Sequence, residues 1–517
     1  MKFSFALLAG SLLLATSALA QIPTKQWDVT VGGSDEERFA NMQPTPDGGY
    51  ILVGTSVSPA SGDKSQDNQG GEDIWVVKLD ANRTKQWDRT LGGTSYDGAQ
   101  RVLPTADGGY LIGGYSNSPI SGDKTQPSQG DTDFWLIKLN AQGHKLWDRS
   151  FGGTGDDNLL SLVPTPDGGF LAGGSSNSPV SGQKTQASQG GNDFWLVKVD
   201  AQGTKQWDQT YGGSAAEVLA SVQVLADGSY LLGGSSKSGV SGHKTQASQG
   251  NWDYWLVKTD AQGRKLWDRT FGGAGSDYLS DMRLSADGSV LLAGRCASAA
   301  GGDKTQPQLG SWDYWVVKTD GQGTKLWDRT VGTPQEDLLN CLLPTTDGGC
   351  LLGGSLGAAA MYGVVKLDAQ GTQQWTHRWG GDGDARLMQM LPAADGSYLL
   401  GGMSTSTATG DKTQPSRGGL LYGDYWGLKF DISQPLPVES AQEASGRALA
   451  VFPNPAARSK PVQLRYRPTA APVGLFTYLG QLVRQWPAGT TLLDVQHVAP
   501  GQYLVRVGTH TTRLIVQ

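Results

Sequence analysis

Hydrophobic and polar residues follow a pattern that recurs about every 60 residues. One unit runs from Asp156 to Gly213, and its DDNLLSLVPTP and GFLAGGSS segments predict two strands joined at the Asp167-Gly168 turn. A long polar loop, SNSPVSGQKTQASQGGN, leads to a third strand, DFWLVKVD, and a tight AQG turn precedes a fourth, TKQWDQTYGG. Both alternating faces of FWLVKV are apolar, which predicts a sheet covered on two sides.

Four antiparallel strands per unit, covered on both faces by neighbours, predict a β-propeller blade. A K-x-W element marks the fourth strand of each unit, and a lone fourth strand at 24–33 precedes the first full unit. The last unit has three strands and stops at Asp431. We therefore predict an all-β fold: a seven-bladed β-propeller closed by the N-terminal strand, plus a small C-terminal β-sandwich. An open solenoid is the alternative, but it needs caps at both ends, and the sequence shows none.

Six units carry the long loop between strands two and three, and one unit lacks it. Copies of SGDKTQPSQG start at Ser61, Ser121, Ser181, Ser241 and Gly301, with another around Asp411. Between Gly354 and Tyr362 the chain reads only GSLGAAAMY, so the seventh K-x-W copy, QQW, follows after 48 residues instead of 60. An aspartate two residues before a tryptophan accompanies the loop, and Met361 replaces it where the loop is missing. We interpret this aspartate, exemplified by Asp133, as the acceptor that holds the loop in place.

The long loops and the T-x-GG segments that link successive units should share one face of the molecule. Function on a propeller normally lies on the long-loop face or in the channel mouth. The candidate binding rim consists of loop aspartates and lysines: Asp63, Lys64, Asp123, Lys124, Lys184, Lys244, Asp303, Lys304, Asp411 and Lys412. The candidate gap in that rim is formed by Ser355, Leu356, Met361 and Tyr362.

An acidic residue also falls ten positions after the K-x-W tryptophan in six units: Glu37, Asp97, Asp157, Glu217, Asp277 and Asp337. Such acids usually hold loop N–H groups or a neighbouring lysine. A ring of carboxylates could instead bind cations. Because no copy has the D-x-D-x-D-G spacing of a calcium loop, we predict no metal.

Tryptophan recurs twice per unit, and we predict a structural role between blades for these residues: Trp75, Trp87, Trp135, Trp147, Trp195, Trp207, Trp255, Trp267, Trp315 and Trp327. The string KLNAQGHKLW, with Gly143 four residues before Trp147, resembles the tryptophan-docking repeat of quinoprotein-type propellers. The resemblance implies that the indole packs against the next blade near a glycine turn. It does not extend to the quinone site, so we predict no cofactor.

Composition and charge make some classes of protein function less consistent with this chain than others. The chain has 74 glycines among 517 residues and a formal charge of −6, and its acidic body argues against nucleic acid as a partner. Residues 1–20 read as a signal peptide, and no later stretch approaches the ~18 apolar residues of a membrane span. Cys296, Cys341 and Cys350 are predicted to be buried free thiols.

Enzyme motifs are lacking in the sequence: the five histidines share no unit position, and HExxH, GxSxG and P-loop patterns do not occur. A catalytic site should also break the repeat, and Arg295 is the one charged residue that does so. We predict a binding scaffold that is not an enzyme. Two alternatives remain. The first is an enzyme with a channel-mouth site (quinoprotein-like or glycan-active), which stacked aromatics or paired carboxylates at the mouth would favour. The second is a purely structural surface-layer protein.

The tail, 448–517, differs in composition and follows a Pro/Ser/acid-rich linker at 432–447, while the propeller is predicted at 21–431. Its VFPNP at 451–455, L-x-x-x-x-G-Q-L-V, APGQYLVRV and closing RLIVQ closely resemble the C-terminal sorting domain of the type IX secretion system of Bacteroidota. Arg513 stands where a lysine is common. The resemblance implies export through the periplasm and outer membrane to the medium or cell surface, with the secretion machinery as a partner. An ordinary adhesion-type sandwich is the alternative. We expect a monomer whose ligand is an extracellular protein or glycan.

Overall fold

The computed structural model describes residues 23–419, 421–432, 450–452, 461–465, 471–477, 482–507 and 510–516. The chain divides into two compact units, of which one is Pro23–Ile432 and the other contains the described C-terminal strands. The predicted signal peptide (1–20), most of the predicted linker (432–447) and part of the VFPNP motif (453–455) lie outside the described residues. Every described element is a strand, and no helix occurs in these ranges.

The unit Pro23–Ile432 consists of seven four-stranded antiparallel sheets. Sheet 1 contains β2 (Glu37–Pro44), β3 (Tyr50–Ser56), β4 (Asp73–Leu79) and β5 (Lys85–Leu91). Sheet 2 contains β6 (Asp97–Pro104), β7 (Tyr110–Ser116), β8 (Asp133–Leu139) and β9 (Lys145–Phe151). Sheet 3 contains β10 (Asp157–Pro164), β11 (Phe170–Ser176), β12 (Asp193–Val199) and β13 (Lys205–Tyr211). Sheet 4 contains β14 (Glu217–Val224), β15 (Tyr230–Ser236), β16 (Asp253–Thr259) and β17 (Lys265–Phe271).

The remaining three sheets follow the same order. Sheet 5 contains β18 (Asp277–Leu284), β19 (Val290–Cys296), β20 (Asp313–Thr319) and β21 (Lys325–Val331). Sheet 6 contains β22 (Asp337–Pro344), β23 (Cys350–Leu356), β24 (Ala359–Leu367) and β25 (Gln373–Trp379). Sheet 7 contains β26 (Ala385–Pro392), β27 (Tyr398–Ser404), β28 (Asp424–Asp431) and, as its fourth strand, β1 (Thr24–Val31).

Sheet 7 is thus built from both ends of the unit. Strand β1 pairs antiparallel with β28 from Thr24 opposite Asp431 to Val31 opposite Tyr425, the pairing that the strand count predicts. The first strand of each sheet contacts the first strand of the next, and β26 contacts both β22 and β2. Repeated four-stranded sheets whose first strands adjoin in this order constitute a β-propeller type of repeat fold.

Tryptophans fill the space between neighbouring sheets. In the third strand, Trp195 is fully buried, and the Phe134 ring of the preceding sheet lies 4.8 Å from it. In the fourth strand, the Trp87 indole packs against Gly143 of the next sheet, where a Cβ would come within 2.7 Å of the ring. Gly143 has a φ of 78°, so the turn and the close approach both require glycine.

The C-terminal unit contains two antiparallel sheets. One consists of β29 (Ala450–Phe452), β30 (Val462–Arg465) and β33 (Leu492–Leu493); the other of β31 (Val473–Thr477), β32 (Leu482–Trp486), β34 (Gly501–Val507) and β35 (His510–Val516). Residues of both sheets share one hydrophobic cluster, which includes Val462, Leu475 and Val505.

Candidate functional site

The long loops lie on the same face as the segments that link successive sheets, as the sequence predicts. In sheet 1, the Asp63 N–H donates to the Gly32 carbonyl at 2.8 Å, and the Ser34 N–H donates to Ser61 Oγ at 2.9 Å. Equivalent bonds join Asp123 to Gly92 and Asp303 to Gly272. Each loop is therefore fixed to the link that precedes its own sheet.

Aspartates of the third strand hold the loops, which confirms their predicted role. Asp133 Oδ2 accepts from the Gln129 N–H at 2.7 Å, and Asp193 Oδ2 accepts from the Gln189 N–H at 2.7 Å. The equivalent carboxylates bond to loop N–H groups in the other sheets that carry the loop: Asp73, Asp253, Asp313 and Asp424. Sheet 6, which has no long loop, instead turns through Gly357 and Ala358 between β23 and β24.

The six loop lysines of the candidate binding rim are buried. Lys64 Nζ donates to the Ser58 carbonyl at 2.9 Å and to Asn68 Oδ1 at 2.7 Å, and Lys184 Nζ donates to Thr210 Oγ1 at 2.9 Å. Each of these side chains belongs to a residue at most 3% exposed: Lys64, Lys124, Lys184, Lys244, Lys304 and Lys412. Burial lowers the pKa of Lys184, Lys244 and Lys412 to about 8. These ammonium groups stabilise the loops from inside and are not available to a ligand.

The rim aspartates lie at the surface and connect adjacent loops. Asp63 binds Arg417 of the preceding loop at 3.1 Å, and Gln69 Nε2 donates to Asp123 Oδ2 at 2.5 Å. Gln249 Nε2 donates to Asp303 Oδ2 in the same way, at 2.5 Å. Asp411 accepts from the Gly380 N–H at 3.1 Å. Side-chain contacts therefore join the loops of sheets 7, 1 and 2, and those of sheets 4 and 5.

The gap residues divide into two groups. Leu356 and Tyr362 are buried, and the Tyr362 hydroxyl donates to the Trp426 carbonyl at 2.8 Å, so both are structural residues, not a ligand surface. Ser355 and Met361 are half-buried. Met361 packs against Gly380, where a Cβ would come within 2.7 Å of Met361 Cγ. Of the predicted gap, Ser355 and Met361 are the members that reach the surface.

Buried acids hold the link segments. Asp97 Oδ2 accepts from the Gly93 N–H at 2.7 Å and from Ser118 Oγ at 2.8 Å. The acids at this position are fully buried: Glu37, Asp97, Asp157, Glu217, Asp277 and Asp337. Within the described part of the chain, no group of three or more His, Cys, Asp or Glu side chains is arranged to hold a metal ion.

A cavity of about 420 Å³ lies where the first strands of the seven sheets come together. One side chain from the first strand of each sheet lines it: Ala40, Gln100, Leu160, Ala220, Ser280, Asn340 and Met388. Arg38, Arg101 and Tyr115 add polar groups, and the lining contains no carboxylate. Since equivalent positions carry different side chains here, the cavity has no sevenfold symmetry.

A second non-repeating feature lies at the long-loop ends of sheets 4 and 5, and sequence reasoning identified only its Arg295. The Arg295 guanidinium lies 4.9 Å from the Tyr278 ring and 5.3 Å from the Trp312 ring. Trp252 lies 5.3 Å from Tyr278, and Lys237 Nζ lies 4.8 Å from the Trp252 ring. We call these five residues, from sheets 4 and 5 and their loops, the aromatic–cation ladder. Cation–π contacts stabilise it.

The ladder was detectable in principle. Trp252 and Trp312 stand directly before the loop-holding aspartates, where the other loop-bearing units have Glu72, Thr132, Asn192 and Gly423. Comparing unit positions column by column reveals the substitution, but only the fold shows that Tyr278, from a different position in the unit, joins the two indoles.

The three cysteines are free and buried, as predicted. Burial raises the pKa of the Cys350 thiol to about 12 and also raises the pKa of the Cys296 and Cys341 thiols. These thiols therefore remain protonated and unreactive at neutral pH.

Comparisons with known proteins identify relatives of low identity. No protein-family model matches the chain. Regulatory protein FlaEY of Caulobacter vibrioides is 26% identical over 287 residues, which cover 51% of this chain and 30% of FlaEY. The chain therefore spans less than a third of the length of that curated relative.

The solved structures that resemble this chain have still lower sequence identity. The Pan2 WD40 domain of Neurospora crassa is 10% identical, with 79% of this chain and 96% of that chain covered and a TM-score of 0.43. PorZ, a surface component of the type IX secretion system of Porphyromonas gingivalis, is 12% identical, with 92% and 59% covered and a TM-score of 0.41. No helix in the described residues is long and apolar enough to cross a membrane.

Proposed function

We propose that this chain is an exported, seven-bladed β-propeller, closed by its N-terminal strand, which binds an extracellular protein or glycan through its long-loop face. It acts by binding and not by catalysis. The seven sheets, the pairing of β1 with β28 and the contact of β26 with β2 support the closed ring. The two C-terminal sheets with their shared hydrophobic cluster support a β-sandwich.

One observation carries the binding proposal: the aromatic–cation ladder interrupts the repeat on the long-loop face. Most residues of the ~60-residue repeat recur from one copy to the next because they hold the sheets and loops together. Aromatic side chains and arginine are enriched at sites of recognition because they supply large contact areas together with hydrogen-bonding groups. Trp312, Tyr278 and Arg295 are half-buried, so part of each side chain reaches the surface.

The test is a glycan and protein array probed with the full-length chain and two variants. Trp312→Ala removes an indole from the ladder, and we expect the signal for the bound partner to fall at least about tenfold, as for hot-spot aromatics. Asn192→Ala changes the equivalent position of sheet 3 and should leave binding unchanged. An array without any ligand would contradict the binding function, and equal loss in both variants would move the binding surface away from the ladder.

An enzyme with a channel-mouth site is the second candidate, since the ladder places aromatic rings next to one another on the long-loop face. Two observations weigh against it: Arg295 and Lys237 lie over the ring faces, and the residues that line the cavity include no carboxylate for acid–base chemistry. Turnover of an array-identified glycan by the full-length chain would favour this candidate over simple binding.

Export by the type IX secretion system is proposed from the sequence resemblance of the tail. Deletion of residues 448–517 should leave the protein in the periplasm, while the intact chain reaches the medium or the cell surface. Normal levels of the truncated protein outside the cell would show that the tail does not direct sorting.

A further inference from the structure

Buried carboxylates meet in pairs at six junctions between sheets. At each, the loop-holding aspartate of one sheet faces the link-holding acid of the next. The pairs are Asp424 with Glu37, Asp73 with Asp97, Asp133 with Asp157, Asp193 with Glu217, Asp253 with Asp277, and Asp313 with Asp337. All twelve acids are 0% exposed. At the remaining junction, Met361 and Ala385 take the equivalent positions, and both carboxylates are missing.

Two pairs combine Asp with Glu, and their carboxyl groups come within hydrogen-bonding reach of each other: Asp193 with Glu217, and Asp424 with Glu37. Glu217 accepts three hydrogen bonds, from Ser236, Ser238 and the Gly213 N–H. Asp193 Oδ1, in contrast, has no donor although it is completely buried. An acceptor without a donor inside a protein costs free energy, so this atom points to a missing hydrogen.

The same arrangement recurs where sheet 7 meets sheet 1. Glu37 accepts from Ser56, Ser58 and the Gly33 N–H, while Asp424 Oδ1 has no donor. In both pairs the Glu is supplied with donors, as an ionised carboxylate requires. In both, the Asp keeps one free oxygen beside it.

We propose that Asp193–Glu217 and Asp424–Glu37 are proton-binding sites, in each of which one proton resides on the Asp Oδ1 and is donated to the Glu carboxylate. Two carboxylates at hydrogen-bonding distance cannot both be ionised without strong repulsion. A shared proton removes one charge and gives the free oxygen its hydrogen bond. The second pair lies at the junction where β1 completes sheet 7, so proton loss weakens the closure of the ring.

Charge balance supports one proton per pair. Lys184 and Lys244 face Asp193–Glu217, and Lys412 and Lys64 face Asp424–Glu37. In total, six buried loop lysines accompany the twelve buried carboxylates of the pairs. Tyr425 also lies near Glu37, and Asp208 near Lys184. With one proton on each of the six pairs, the number of ionised carboxylates in the pairs would equal the number of loop lysines.

A metal ion fits these pairs poorly. Gly212 lies against Asp193, and a Cβ there would come within 2.2 Å of Oδ1; Gly32 lies against Asp424 in the same way. Glycine backbone thus occupies the side from which further oxygen ligands would have to approach. A bound Ca²⁺ takes roughly six to eight oxygens.

Burial, reinforced by the neighbouring carboxylate, raises the pKa of Asp193 and of Asp424 to about 7. In the Asp–Asp pairs burial raises the pKa of Asp73, Asp133 and Asp253 to about 6. Because these pKa values lie above the ordinary 3.8, the stabilisation from the bound protons is fully present below pH 3.8 and is lost as the pH rises through about 7 for the Asp–Glu pairs.

The test compares the full-length chain with the double variant Asp193→Asn/Asp424→Asn. An asparagine amide donates to the Glu as the protonated acid does, so the variant should remain folded. Infrared difference spectra between pH 5 and pH 9 should show the C=O band of protonated carboxylic acid in the parent and a smaller band in the variant. Proton release over that range should fall by about two per chain.

Asp328→Asn is the control, because Asp328 lies in sheet 5, which contributes to neither Asp–Glu pair, and hydrogen bonds from Thr305, Trp315 and Lys325 outweigh its burial and lower its pKa. This variant should keep the full acid band and the full proton release. An unchanged band in the double variant would overturn the proposal. Stabilisation of the parent, but not of the double variant, by Ca²⁺, Mg²⁺ or Na⁺ would also overturn the proposal, because the pairs would then be cation sites.

Discussion

Sheet 3 carries the long loop and sheet 6 lacks it, and the two sheets differ in every side chain that holds the loop. In sheet 3, Asp193 fixes the end of the loop, and Asp208 fixes its middle by accepting from the Thr185 N–H at 2.9 Å. Asp208 also accepts from Trp195 Nε1 at 3.1 Å and binds Lys205 at 2.7 Å. One carboxylate thus joins the loop, the core tryptophan and the fourth strand.

In sheet 6 the equivalent positions hold Met361, Gly363, Thr376 and Gln373, in place of Asp193, Trp195, Asp208 and Lys205, respectively. Leu356 occupies the space beside Gly363, where a Cβ would lie 3.0 Å from the leucine side chain. Loop, carboxylates, tryptophan and lysine are therefore one hydrogen-bonded assembly. A single member without the others would destabilise the fold, because it would be a buried polar group without its partner.

The opposite face does not differ between the two sheets. Lys198 binds Asp167 at 2.8 Å in sheet 3, and Lys366 binds Asp347 at 2.8 Å in sheet 6. The short-turn face thus depends only on the hairpins, and it is independent of the long loop.

The largest expected effect comes from the core tryptophan that sheet 6 does without. Trp195→Ala should destabilise the propeller unit by about 3–5 kcal/mol, because it leaves a cavity between sheets 2 and 3 and an Asp208 oxygen without its indole donor. Leu326→Ala, at a residue 55% exposed on β21, is the control and should change stability by less than about 0.5 kcal/mol. Urea unfolding measures both; similar values would show that Trp195 does not hold the sheets together.

An intermediate effect is expected from the carboxylate that joins the assembly. Asp208→Ala should cost about 1–3 kcal/mol, since the Thr185 N–H and the Trp195 N–H lose their acceptor. It should also open the 177–192 loop to limited proteolysis. Thr376→Ala, the equivalent position of sheet 6, should do neither. If the loop of the Asp208 variant resists protease as the parent does, Asp193 alone is enough to hold it.

The smallest effect should be equal in the two sheets. Asp167→Asn and Asp347→Asn each remove a partly exposed ion pair and should cost at most about 1 kcal/mol at neutral pH. The Lys198 hydrogen bond lowers the pKa of Asp167 to about 2, so its stabilisation is present above the ordinary pKa of 3.8 and is lost as the pH falls through about 2. Unfolding curves between pH 2 and pH 6 should converge for parent and variants at the acid end. A larger change in sheet 6 than in sheet 3 would link this face to the loop after all.

Much of the fold could be predicted because the repeat recurs at a regular spacing that is visible in the sequence. The strands, the two turns, the position of the missing loop and the pairing of 24–33 with the last strand follow from spacing and from alternating hydrophobicity. The joint absence of the loop and of its aspartate at Met361 even indicated the hydrogen bond that holds the loop. These are local relations, or relations between copies of one unit, and a single sequence contains them.

The tertiary structure alone determined which residues at different positions of neighbouring units contact each other. The loop lysines resemble exposed polar residues in the sequence, but the loop folds back over them and buries them beneath its own carbonyl groups. Asp193 and Glu217 are 24 residues apart and meet only because the sheets adjoin. Tyr278 joins Trp252 and Trp312 for the same reason. Periodicity determines which residues recur, whereas the packing of one sheet on the next determines which of them touch and which charges must then be neutralised.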